Sequence, residues 1–199
     1  MRYEGESSGY HSEVCLNDLS GCLKNLPDDS IVLIISNPER YDDTNVEILK
    51  LLCNEEKLSG LYITLDHPYD SLIERLKSRG VDADKLFFID ILTKNLKETP
   101  YRTDNCLFLP SPKNVSDVGL AIDESIRESK NNKKFLFVDC VSALLFYNSL
   151  NTVKKFEHFL TIRMRIGSLK GILISLNSGT EKQIVPFMMQ FCDKVIRVK

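Results

Sequence analysis

The stretch IVLIISNPERYDDTNVEILKLL, residues 31–52, decides how this chain is read. It opens on an unbroken apolar run, the pattern of a strand buried on both faces, and closes with the periodicity of an amphipathic helix. Between them lies NPERYDDT, at the strand-to-helix turn where many nucleotide-binding proteins hold phosphate. The template for that turn, G-x-x-x-x-G-K-[ST], fits in length. Asn37 takes the first glycine position, Asp42 the second, Asp43 the lysine and Thr44 the hydroxyl, with Pro38 to Tyr41 as the variable residues. Only Thr44 suits its role. Lysine to aspartate reverses a contact of about 4 kcal/mol for a charge pair 4 Å apart at an effective dielectric of 20, and Asp42 adds further repulsion. Phosphate binding is disfavoured here. The turn reads instead as an Asx or Pro turn, with Asp43 or Thr44 capping the helix.

Further apolar runs occur at 60–65, 85–91, 105–110, 134–139, 171–176 and 193–199, most of them separated by helix-period segments. This alternation predicts an α/β three-layer fold with a mostly parallel sheet and right-handed crossovers. In the helix over SLIERLKSRG, Leu72, Ile73 and Leu76 share a face, Ser71 and Glu74 have capping-box spacing, and Gly80 closes the end. In the next, Val118, Ala121, Ile122 and Ile126 face inward from a start near Ser116 or Asp117. The helix over TVKKFEHFLTIRMRIG buries Val153, Phe156, Phe159, Leu160 and Met164 before Gly167. The last carries Pro186 in its first turn or at a kink. Residues 1–25 are expected to form an arm or a short helix laid on the sheet, and 26–199 a single domain.

Composition narrows the function classes. Hydrophobic residues at 43% and charged residues at 27% fit a soluble globular chain of 199 residues and exclude disorder. A net charge of -2 offers no global attraction to nucleic acid or acidic membranes. The basic clusters KNNKK (130–134) and RMR (163–165) read as solvated faces, and His11 and His158 as isolated surface residues. Cys15, Cys22, Cys53, Cys106, Cys140 and Cys192 are scattered without metal-ligand spacing, so they read as reduced thiols in a cytoplasmic protein. No apolar run is long enough to span a bilayer.

GLYITLDHPYDSLIERLKSRGVDADKLFFID, KKFLFVDCVSALLFYNS, GILISLNSG and FCDKVIRVK, taken in order, resemble the KaiC-like branch of the RecA superfamily of ATPases, widespread in archaea. The resemblance runs from about Ser30 to the C-terminus. It implies a RecA-like sheet, with Asp139 in the Walker B aspartate position, Asp66 in the catalytic-glutamate position and His67 in the second acidic position. The departures carry as much information. Asp66 is a methylene shorter than glutamate, His67 replaces an acid, and the Walker A loop is degenerate at Asn37, Asp42 and Asp43.

The sequence therefore points to a pseudo-ATPase with no catalytic residue, cofactor or metal, acting as a regulatory or protein-interaction module. A protein partner or self-association is expected, with no membrane and no nucleic acid. One alternative is a small-ligand sensor or enzyme in a cleft lined by Asp42, Asp43, Asp66 and Asp139. Another is an ATP-binding protein with an irregular P-loop helped by Arg40. A nucleophile built from Ser142 or Cys140 with His67, Asp66 and Asp139 lacks the G-x-S-x-G elbow.

Overall fold

The computed structural model describes residues 11–24, 26–95, 102–111, 113, 115–128, 134–177, 179 and 183–199. Within them the apolar runs become strands β2 (Ile31–Ser36), β3 (Gly60–Thr64), β4 (Leu86–Asp90), β5 (Cys106–Phe108), β6 (Phe135–Asp139), β7 (Lys170–Leu176) and β8 (Lys194–Val198). Every residue of β2, β3 and β6 is buried, as continuous hydrophobic runs require. An eighth strand, β1 (His11–Val14), lies in the segment expected to be an arm or short helix. It is followed by a short 3₁₀ turn at Leu16–Asp18 and by helix α1 (Leu19–Lys24), which buries Leu19 and Leu23. The strands pair in parallel throughout, in the order β1-β8-β2-β7-β6-β3-β4-β5.

Helices cover both faces. Helix α2 (Tyr41–Leu49) and α3 (Tyr69–Ser78) share one face, joined by the ion pairs Asp42–Arg75 at 3.0 Å and Asp43–Arg79 at 2.6 Å. Helix α1 joins them through Ser20 Oγ, which donates to Glu47 at 3.2 Å. Helices α4 (Val115–Glu128), α5 (Leu150–Ile166) and α6 (Val185–Met188) cover the other. Sheet register separates the two layers. Phe137 stacks on Tyr62 beneath α2, whereas its chain neighbour Leu136 pairs with Gly171, against which Met164 of α5 packs. A Cβ on Gly171 would lie 2.4 Å from the Met164 sulfur, so the glycine is what lets α5 lie so close to the sheet.

Several helix boundaries differ from expectation. A 3₁₀ turn at Pro38–Arg40 leads straight into α2 at Tyr41, so neither Asp43 nor Thr44 is the N-cap. Pro38 supplies the reason: its fixed φ starts a helical turn that the next residues continue. Ser71 lies inside α3, and its hydroxyl donates to the Pro68 carbonyl at 3.0 Å, so Ser71 and Glu74 form no capping box. Gly80 does take the left-handed conformation just past α3, with φ of 79°. Helix α4 begins at Val115, ahead of Ser116 and Asp117. Ser149 caps α5, its Oγ accepting from the Thr152 amide at 3.2 Å. Pro186 falls in the first turn of α6.

Candidate functional site

Sheet register places Asp139, Thr64 and Asp90 in one row across the carboxyl ends of β6, β3 and β4. In open α/β sheets this edge is where ligands bind. Asp139 is entirely buried, and two helical residues and one strand residue close over it. It accepts hydrogen bonds from the Tyr41 hydroxyl, from the Tyr62 hydroxyl at 2.5 Å and from Asn45 Nδ2 at 3.0 Å. Tyr41 and Asn45 stand four residues apart on α2 and so share a face. Tyr62, on β3, is held between Phe88 and Phe137.

The electrostatics follow from that enclosure. Burial pushes the Asp139 carboxyl above its ordinary value, opposed first by the hydrogen bonds from Tyr41 and Tyr62. Burial, and then the neighbouring Asp139 charge, push both tyrosine hydroxyls upward, so they remain protonated donors. A buried carboxyl is tolerable only with such donors. Thr44 is buried as well, its hydroxyl 3.0 Å from that of Ser36 at the end of β2. The hydroxyl aligned with the magnesium-binding position therefore joins α2 to the sheet.

None of the other candidates hydrogen-bonds Asp139 among the described residues, although His67 lies near enough to favour its charged form. Asp42 and Asp43, in the first turn of α2, turn toward Arg75 of α3 and Arg79 just past its end. Asn37 and Arg40 are exposed. Asp66 is exposed in the turn after β3, its Oδ2 3.6 Å from His67 Nδ1. His67 Nε2 lies 3.3 Å from Arg75, and its main chain is held by the Thr64 hydroxyl. Asp42, Arg75, His67 and Asp66 thus form one chain of contacts, while Asp43 pairs with Arg79 and Asp139 is enclosed by Tyr41, Asn45 and Tyr62. Cys140, left-handed at φ of 58°, and Ser142 are buried with Sγ and Oγ 3.3 Å apart.

Tyr41, Asn45 and Tyr62 were not legible as site residues until α2 was known to start at Tyr41. Asp90, likewise unforeseen, ends its strand in FFID much as Asp139 ends FLFVD. It is fully buried and accepts from the amides of Tyr69, Leu92 and Thr93 at 2.7–2.8 Å and from the Thr93 hydroxyl, organising the turn beyond β4. Of the basic clusters, RMR is structural. Arg163 pairs with Asp123 at 3.0 Å and lies over the Phe159 ring, and Arg165 pairs with Asp193 at 2.7 Å. Residues 130–133 of KNNKK lie outside the described residues. None of the six cysteines is in a disulfide. Among the described residues no helix is long and apolar enough to cross a membrane.

No family model and no curated protein sequence matches the chain. Among solved structures it is similar to a KaiC-like protein from the hyperthermophilic archaeon Pyrococcus horikoshii OT3, with a TM-score of 0.64 over 86% of this chain and 72% of that one. Sequence identity is 13%, so the likeness is one of fold, a RecA-like α/β architecture.

Proposed function

We propose that the chain is a catalytically inactive KaiC/RecA-like module of archaeal type, a pseudo-ATPase with a degenerate P-loop that acts through protein interaction, in regulation. One observation carries this reading: Tyr41, from the segment aligned with the Walker A loop, donates its hydroxyl to Asp139, the Walker-B-like aspartate. A magnesium nucleotide needs a loop of free backbone N–H groups, a cation beside the phosphates and an accessible carboxylate near the metal. Here the segment is helical from Pro38, carries Asp42 and Asp43, and covers the carboxylate. These residues do not fit the group. The separate pairing of Asp42 and Asp43 gives little support to a sensor or enzyme in a carboxylate-lined cleft. Their acidity argues equally against an irregular P-loop.

Thermal denaturation with and without Mg-ATP and Mg-ADP tests the reading. A ligand at 100 times its Kd would stabilise the fold by about 2.7 kcal/mol, a readily measured shift. We expect no shift and no turnover. Magnesium-dependent hydrolysis that is abolished in a still-folded Asp139→Ala variant overturns it.

A further inference from the structure

One face of α5 is covered by the segment that leads into β8. Lys154, His158, Thr161 and Arg165 recur at three- and four-residue spacing and so lie along that face. Lys154 Nζ stands 5.4 Å from the centre of the Phe187 ring, and the His158 ring is 4.8 Å from that of Phe191. Arg165 pairs with Asp193 at 2.7 Å and reaches the Phe191 carbonyl at 3.5 Å. Phe187 and Phe191 meet edge to face, 5.0 Å between centres. The covering segment is lightly built. It consists of the four residues of α6 and a 3₁₀ turn at Met189–Phe191, with Gln183, Pro186 and Gln190 exposed. Its buried side is Ile184, Val185, Met188 and Cys192.

Glu157 lies within this face, one turn after Lys154 and beside His158. It is 1% exposed, and neither carboxyl oxygen has a hydrogen-bond partner among the described residues. A carboxylate without donors is too costly to bury, so the closed segment keeps this carboxyl protonated. The charged groups around it are occupied elsewhere. Asp193 and Arg165 satisfy each other, Asp123 on α4 is paired with Arg163, and Lys170 on β7 is turned to Glu56 at 3.8 Å. The turn at Val141–Phe146 carries no ionisable side chain. Cys192 donates to the Met188 carbonyl at 3.3 Å, and burial, then the Glu157 charge, push its thiol up to about 12, so it stays neutral. Among the described residues, Lys154 is the cation whose charge bears on Glu157, and it only partly opposes the effect of burial.

We propose that residues 183–192 form a proton-gated strap, closed on α5 while Glu157 is protonated and lifted when its carboxyl ionises. Lifting admits water to the carboxylate and frees Lys154 from the Phe187 ring. It also uncovers Ile184, Val185 and Met188, so the apolar surface that the chain presents depends on pH. The flanks stay in place: the Asp193 carboxylate accepts from the Ile31 amide and from Arg165, and β7 and β8 remain paired with β2. The closed strap holds one proton more than the open one. Its advantage is therefore complete below about pH 4.5 and is lost as pH rises toward 9. The strap shares no residue with the enclosure of Asp139, so it stands independently of the inactive-module reading.

Amide hydrogen exchange of the full chain, followed by NMR from pH 5 to pH 8 and corrected for intrinsic rates, tests this inside the window. The Phe187 and Met188 amides, which donate to the Ile184 carbonyl at 2.9 and 3.0 Å, report the strap. The Leu33 amide in β2 reports unfolding of the whole domain. In the parent, protection at Phe187 and Met188 should fall by up to about tenfold per pH unit relative to Glu157→Gln. It should stay below that of Leu33 at every pH. Lys154 and His158 are present in both proteins, so their own protonation cancels in the comparison. Glu157→Met, of similar size and without a carboxyl, should behave as Glu157→Gln does and replaces it if the glutamine variant does not fold. Parallel profiles for parent and variant overturn the proposal. So does protection at Phe187 and Met188 equal to that at Leu33, because the segment then opens only with the whole fold.

Discussion

Glu157 is an acid in an apolar place. It is 1% exposed on α5, and neither carboxyl oxygen has a hydrogen-bond partner among the described residues. Burial pushes its pKa up from 4.5 to about 9, with the Lys154 charge only partly opposing. The folded chain therefore holds the proton while the unfolded chain releases it. The stabilisation is complete below about pH 4.5 and is lost as pH rises toward 9. The slope approaches 1.4 kcal/mol per pH unit within that window. Urea midpoints of the parent should therefore fall steadily from pH 5 to pH 8 relative to those of Glu157→Gln. Parallel curves for the two proteins would mean that Glu157 is paired or hydrated. Its position was legible in the sequence: it lies four residues after Val153 and three before Leu160, inside the stripe expected to face the core. The residue type argued for solvent, and periodicity prevailed.

At the scale of elements, α2 is where sequence and structure diverge most. The acids of NPERYDDT were read as the remains of a phosphate loop, which made the segment a turn. Pro38 could have been read as the first residue of a helical turn, and from that start Tyr41 and Asn45 fall on the face toward Asp139. The same start places Asp42 and Asp43 in the first helical turn, where negative charge is favourable, within reach of Arg75 on α3 and Arg79 just past its end. The partners are from about a quarter to half exposed, so each pair contributes under about 1 kcal/mol. Asp43→Lys should therefore lower stability by up to about 1 kcal/mol, mostly through repulsion from Arg79. It should not create nucleotide affinity, because this segment forms helical turns where a phosphate-wrapping loop would be needed. Calorimetric titration of the variant with Mg-ATP checks the second point, and a measurable heat of binding there would show that one charge, and not the backbone, had closed the site.

For the whole molecule, the seven apolar runs announced a parallel sheet, yet nothing in them specified its order. β8 joins the first part of the chain to the last: it lies between β1 and β2, so the final strand in sequence is paired on both sides. β1 escaped the sequence reading because HSEV is a four-residue edge strand of alternating exposure with little apolar content. The consequence for stability is asymmetric. β8 buries Val195, Ile196 and Val198, each contributing about 2 kcal/mol, against a total domain stability of ~5–15 kcal/mol. Asp193, just before it, accepts from the Ile31 amide at 2.7 Å and from Arg165 at 2.7 Å, anchoring the start of β2 to the end of α5. Removing residues 193–199 should therefore abolish the cooperative thermal transition. Removing residues through Val14 takes away one edge strand with no fully buried side chain and should leave a cooperative transition at a lower midpoint. Circular dichroism melts of the two truncations decide between a sheet completed by its last strand and one whose β2–β7–β6–β3 centre folds alone. A cooperative melt for the chain ending at Cys192 would establish the latter, and would make β8 an addition to an already stable core.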